Sequence, residues 1–168
     1  AFARAISLNP KDEVAYVNRG TVYGEMGDNE KAIKDFDRAI ALNPEFAVAY
    51  ANRGLSYNNI GKYQQAIRDY NRAIAIDPNN AVTYNNRGTT YSNLGNFKLA
   101  IKDYDKAISL NPELAVAYRN RGIAYDKIGN RKQANNDNMV ATVKTMEKNL
   151  IESAKTTVEV YSDSGMAG

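Results

Sequence analysis

The chain has 168 residues, is 43% hydrophobic and 24% charged, and carries a net charge of +3, which suits one folded unit and is too mild to argue for nucleic acid. It contains no Cys and no His, which excludes disulfides, thiolate nucleophiles, imidazole bases and the usual zinc and haem ligands. No apolar run approaches a membrane span, and no Gly-rich phosphate loop or nucleophile elbow is present, so no enzyme, metal or cofactor is expected.

Residues 1–12 read as the tail of a repeat, with Phe2, Ala5 and Pro10 in register with later units. The chain starts Ala1-Phe2 without Met or a signal pattern, as a piece of a longer protein would, and the expected compartment is the cytoplasm.

The first full unit covers 13–46 and reads as two helices. One runs from about Glu13 to Met26, with Tyr16, Gly20 and Tyr23 spaced four and three on one face. The other runs from about Asn29 to Leu42, with Ala32, Phe36, Ala39 and Ile40 as its apolar stripe. Gly27 between them suits a helix end that needs positive φ, and Asn43-Pro44 stops the second helix because the residue before Pro avoids the α region.

The units 47–80, 81–114 and 115–148 repeat this text. Pro10, Pro44, Pro78 and Pro112 are 34 residues apart, and Gly20, Gly54, Gly88 and Gly122 keep the same step. So do Gly27, Gly61, Gly95 and Gly129, the tyrosines at 16, 50, 84 and 118 and those at 23, 57, 91 and 125. Asn-Arg-Gly recurs at 18–20, 52–54, 86–88 and 120–122. A helix pair cannot bury its apolar face alone, so the pairs are expected to stack into one continuous core.

These columns resemble the tetratricopeptide repeat family, in an Asn-Arg-Gly variant. The resemblance covers residues 13–148: small residues at Gly20 and Ala32, aromatics at Tyr16, Tyr23 and Phe36, then Ala39 and Pro44. It implies an all-α, right-handed α-solenoid (superhelix) of antiparallel helix pairs whose first helices line a concave groove. One departure is an arginine before each first glycine (Arg19, Arg53, Arg87, Arg121), where the family usually carries an apolar residue. Each Arg lies as far before the turn glycine as an Asp lies after it, giving Arg19/Asp35, Arg53/Asp69, Arg87/Asp103 and Arg121/Asp137. A partly buried ion pair inside each unit is favoured over a basic ladder for phosphates.

The groove that the resemblance implies carries Val14, Asn18 and Thr21 in the first unit and Val48, Asn52, Leu55 and Asn59 in the second. The third supplies Val82, Asn86, Thr89 and Asn93, and the fourth Val116, Arg119, Asn120, Ile123 and Lys127. Asn is a mediocre helix former, so Asn18, Asn52, Asn86 and Asn120 need a reason. An amide donor and acceptor match a peptide backbone unit. The row is similar to the asparagine ladder on the peptide-binding surface of O-linked N-acetylglucosamine transferases. Two compatible readings stay open: the row grips an extended chain, or each Asn props a neighbouring repeat. The carboxylate clamp of chaperone-tail binders is disfavoured, because Val17, Ala51 and Asn85 stand where Arg119 does. Residues 1–46 carry six bases and eight acids, a net of −2, and 115–148 seven and three, a net of +4. An acidic ligand end is expected toward the fourth unit.

In that unit Asn135, Asn138 and Thr142 replace apolar stacking residues, as a terminal repeat requires. Met139, Val143, Met146, Leu150, Ala154 and Val158 form a helical stripe, so one helix is expected from about Arg131 to Val158. Residues 149–168 are thus an extension of the last helix, which caps the array or pairs with another copy, followed by a disordered tail over 161–168. The expected function is a protein-interaction scaffold binding an extended peptide or partner helix. The alternative is a self-assembling module, joined through its terminal repeats or its last helix. Nucleic-acid binding is disfavoured, since ten of the 12 tyrosines occupy packing columns.

Overall fold

The computed structural model describes residues 2–164. They form α1 (Phe2–Leu8), α2 (Glu13–Glu25), α3 (Asn29–Leu42), α4 (Ala47–Asn59), α5 (Tyr63–Ile76), α6 (Ala81–Asn93), α7 (Phe97–Leu110), α8 (Ala115–Lys127) and α9 (Arg131–Ser164), with no strand among the described residues. Helices α2/α3, α4/α5, α6/α7 and α8/α9 pack as antiparallel pairs and each pair stacks on the next, giving an α-solenoid.

Local chemistry sets the boundaries. The Asp12, Asp28 and Asn80 side chains cap α2, α3 and α6, accepting from Ala15 N at 3.0 Å, Lys31 N at 3.2 Å and Thr83 N at 3.1 Å. The first helix of each pair ends on a glycine in the left-handed region, with φ of 82°, 76°, 77° and 81° at Gly27, Gly61, Gly95 and Gly129. At Gly27 the Schellman pattern is complete: Asp28 N donates to Tyr23 O at 2.9 Å and Gly27 N to Gly24 O at 3.0 Å. The second helices stop where Asn43, Asp77 and Asn111 become extended before their prolines.

The core is a line of small residues and rings. Ala32, Ala66, Ala100 and Ala134 are buried with Ala39, Ala73, Ala107 and Ala141, around Phe36, Tyr70 and Tyr104. Within a pair the helices cross at a glycine. A Cβ on Gly20 would stand 2.8 Å from Phe36 Cε1, and one on Gly88 2.8 Å from Tyr104 Cε1.

The fourth pair ends differently. Helix α9 starts at Arg131 and continues to Ser164, beyond the Val158 end expected from the stripe. Residues 161–164, expected to belong to a disordered tail, are therefore helical: no Gly or Pro interrupts the segment before Gly165. Residues 165–168 of that tail lie outside the described residues. Ala134, Asp137 and Ala141 are buried against α8, and Asn135, Asn138 and Thr142 are exposed. Every residue from Met146 to Thr156 is exposed, so the helix leaves the body after Thr145 and does not fold back. Phe2 and Ala5, in register with later units, have side chains outside the described ones, and Ile6 beside them is half-buried.

Candidate functional site

The repeat stacks the four first helices α2, α4, α6 and α8 side by side, and one stripe of each faces the groove. Residues at i, i+4, i+7 and i+11 share a helix face, so the stripes are Val14-Asn18-Thr21-Glu25, Val48-Asn52-Leu55-Asn59, Val82-Asn86-Thr89-Asn93 and Val116-Asn120-Ile123-Lys127. The valine column stays open to solvent in all four units: Val14, Val48, Val82 and Val116 are 49%, 47%, 52% and 39% exposed. Leu55 and Ile123 are exposed too, which makes an apolar track with amides between its rungs.

The asparagines divide into three situations. Asn18 is exposed. Asn52 and Asn120 are half-buried and reach back to the preceding unit, where the Asn52 amide donates to Thr21 Oγ1 at 3.2 Å. The Asn120 amide donates to Asn85 Oδ1 at 3.1 Å and Thr89 Oγ1 at 3.4 Å. Asn86 stands opposite Leu55, which offers no acceptor, and instead accepts from Asn85 Nδ2 at 3.4 Å. Asn59 and Asn93 extend the pattern by donating to Asn29 Oδ1 at 3.3 Å and Asn58 Oδ1 at 3.1 Å. Propping between repeats is therefore present in the column, and it holds the Asn52 and Asn120 amides in place.

The structure brings Thr21, Asn52, Leu55 and Asn59 around one recess of about 190 Å³, with Gly24, Glu25 and Ser56 on its walls and Phe36 also lining it. Arg119 is exposed where Val17 and Asn85 are buried at the equivalent inner positions. Neither Arg119 nor Lys127 takes part in an ion pair among the described residues, while Glu25 stands at the opposite end of the groove.

The arginines beside the asparagines are structural. Arg19, Arg53, Arg87 and Arg121 grip Asp35, Asp69, Asp103 and Asp137 through two bonds each, all at 2.7–2.8 Å. Each guanidinium also lies 5.5–5.9 Å from the ring centres of the two flanking tyrosines. A third bond ties it to the preceding unit: Arg53 to Asp37 at 2.6 Å, Arg87 to Asn71 at 2.7 Å and Arg121 to Asp105 at 2.7 Å. Burial opposes the charge on Arg53, but the bonds from Asp69 and Asp37 outweigh it and hold the group above its ordinary range. These inter-repeat acceptors were missed from sequence, although Asp37, Asn71 and Asp105 lie 16 residues before their arginines, as the intra-unit partners lie 16 after. Phe36 beneath the recess was missed because its spacing marks it only as core.

No group of metal-ligating side chains is assembled among the described residues, and no helix there is long and apolar enough to cross a membrane. A stack of helix pairs whose first helices present a column of amides and solvent-open valines is a scaffold for protein interaction.

Among solved structures, a crystal structure of MamA is 29% identical over 88% of this chain and 86% of its own, with a TM-score of 0.78. A second MamA crystal structure is 28% identical over 88% and 80%, with a TM-score of 0.75. MamA 41-end from Desulfovibrio magneticus RS-1, 20% identical over 87% and 82% with a TM-score of 0.77, is a likeness of fold alone. No curated relative matches the chain. The profile of the family described as Tetratricopeptide repeat matches residues 14–46, 47–80 and 81–114, leaving the fourth unit, whose second helix carries Asn135, Asn138 and Thr142, outside the match. With three units matched in succession, the chain belongs to the tetratricopeptide repeat family.

Proposed function

We propose that the concave groove holds a segment of polypeptide, as an extended peptide or a partner helix, against the columns Asn18/Asn52/Asn86/Asn120 and Val14/Val48/Val82/Val116. The observation that carries this reading is the solvent-open valine column interleaved with amides held by Thr21, Thr89 and Asn85. Preset amides lose little side-chain entropy on binding, and the valines supply apolar area. Asn59 and Asn93 flank the track, and Arg119 with Lys127 favours an acidic residue of the ligand at the fourth unit.

Peptides selected from a random library on the intact chain, and measured by surface plasmon resonance, test the reading. Asn52→Ala with Asn86→Ala should weaken binding by about tenfold or more, the size of one or two lost hydrogen bonds. Unchanged affinity in that double variant removes the asparagine ladder from the mechanism.

A second reading, self-assembly, is favoured by one observation: Met139, Val143, Met146 and Leu150 form an exposed apolar stripe on α9, at 63%, 47%, 59% and 69% exposure.

A further inference from the structure

Helix α9 and the groove pose complementary problems. Beyond Thr145 the helix projects from the body, and Met146, Leu150 and Ile151 stand 59%, 69% and 56% exposed along it. The groove presents Val48, Leu55, Val82 and Ile123 with nothing over them. Each chain therefore offers one apolar helix and one apolar track. A single unbroken helix leaving the far end of the stack cannot turn back into its own groove.

We propose that the free half of α9 lies in the groove of a second copy of this chain. The proposal rests on the groove reading above and names its occupant. Length is the first argument. Met146–Ser164 is nineteen residues, about 28 Å at ~1.5 Å per residue. Crossing four adjacent first helices takes three steps of about 8–10 Å, or about 24–30 Å.

Charge is the second. The groove runs from Glu25 at the first unit to Arg119 and Lys127 at the fourth. The free helix carries Glu147, Lys148, Glu152 and Lys155 in its earlier part, which balance, and after Lys155 it carries Glu159 and Asp163 and no base. With its C-terminal end toward the fourth unit, the acidic end and the negative pole of the helix dipole meet the unpaired cations. The contact is head-to-tail, so copies add in chains or close into rings.

Sedimentation velocity on the intact chain and two variants tests this. Val48→Glu with Val82→Glu spoils the groove, and Leu150→Glu with Ile151→Glu spoils the helix; all four positions are exposed, and circular dichroism checks that both variants stay folded. The wild-type chain should grow past a dimer as concentration rises. Each variant alone should remain a monomer. Mixed in equal amounts, they should form a species of two chains, because one intact groove meets one intact helix. A groove variant that still associates with itself overturns the proposal in favour of pairing between α9 helices. A mixture of folded variants that stays monomeric overturns it too. A wild-type chain that binds the selected peptides yet stays monomeric overturns this proposal alone and leaves the groove reading standing.

Discussion

At the scale of single residues, the column of arginines joins three kinds of contact in one guanidinium. Asp69 holds Arg53 by two bonds at 2.7 Å and is 9% exposed, whereas Asp37 holds it by one and is 51% exposed. Removing the buried carboxylate strands a half-buried cation, so Asp69→Ala should cost about 2–3 kcal/mol. Asp37→Ala, whose partner keeps its other bonds, should cost about 0–1 kcal/mol. Urea unfolding of the two variants checks the ranking, and equal losses contradict it. Tyr70 is fully buried, and its hydroxyl makes no well-formed hydrogen bond, only a weak approach to Thr90, while the equivalent position in the first unit is Phe36. Tyr70→Phe should therefore be neutral or stabilising in neutral buffer. Burial also pushes the Tyr70 hydroxyl above the ordinary tyrosine range. As pH rises past about 10 the unfolded chain loses that proton first, so the folded state binds more protons and stability falls. Melting temperatures between neutral and strongly alkaline pH should drop less steeply for Tyr70→Phe than for the wild-type chain.

At the scale of the helix pair, glycines only four residues apart have opposite roles. Gly20 marks the crossing, where a Cβ would meet Phe36 Cε1 at 2.8 Å, whereas the nearest atoms to a Cβ on Gly24 are 3.9 Å away. Gly20→Ala should destabilise by about 1–3 kcal/mol through overpacking. Gly24→Ala should stabilise by about 0.5 kcal/mol through helix propensity. Thermal melts of the two variants should move in opposite directions, and movement in the same direction contradicts this account of the crossing. The pair was legible in sequence because its punctuation is local: Gly27 needs positive φ, Pro44 forces Asn43 to extend, and the alanine stripe has helical spacing. The arginine–aspartate pairing inside a unit was legible for the same reason, since a hairpin with a fixed turn sets which residues face. The contacts of Asn52, Asn86 and Asn120 were not, because they depend on whether Thr21, Leu55 or Thr89 stands in the neighbouring unit, and stacking decides that. The end of α9 was misplaced because hydrophobic spacing fades after Val158, while a helix already nucleated continues until a breaker stops it.

At the scale of the whole molecule, repetition turns single side chains into columns, and the columns into a track along one concave face. The arginine latches at Asp37, Asn71 and Asp105 and the asparagine props fix one unit on the next, so the track keeps its shape before anything binds. Its charge runs from Glu25 to Arg119 and Lys127, which on the proposed reading would give a bound segment a direction. The central claim is that this face, and not the convex one, holds polypeptide. Methyl NMR of valine-labelled chain, titrated with a peptide selected on it, measures that most directly. The account predicts shifts concentrated at Val14, Val48, Val82 and Val116, with Val140 and Val143 on α9 unmoved. Shifts at Val140 or Val143 with the four groove valines silent would contradict it.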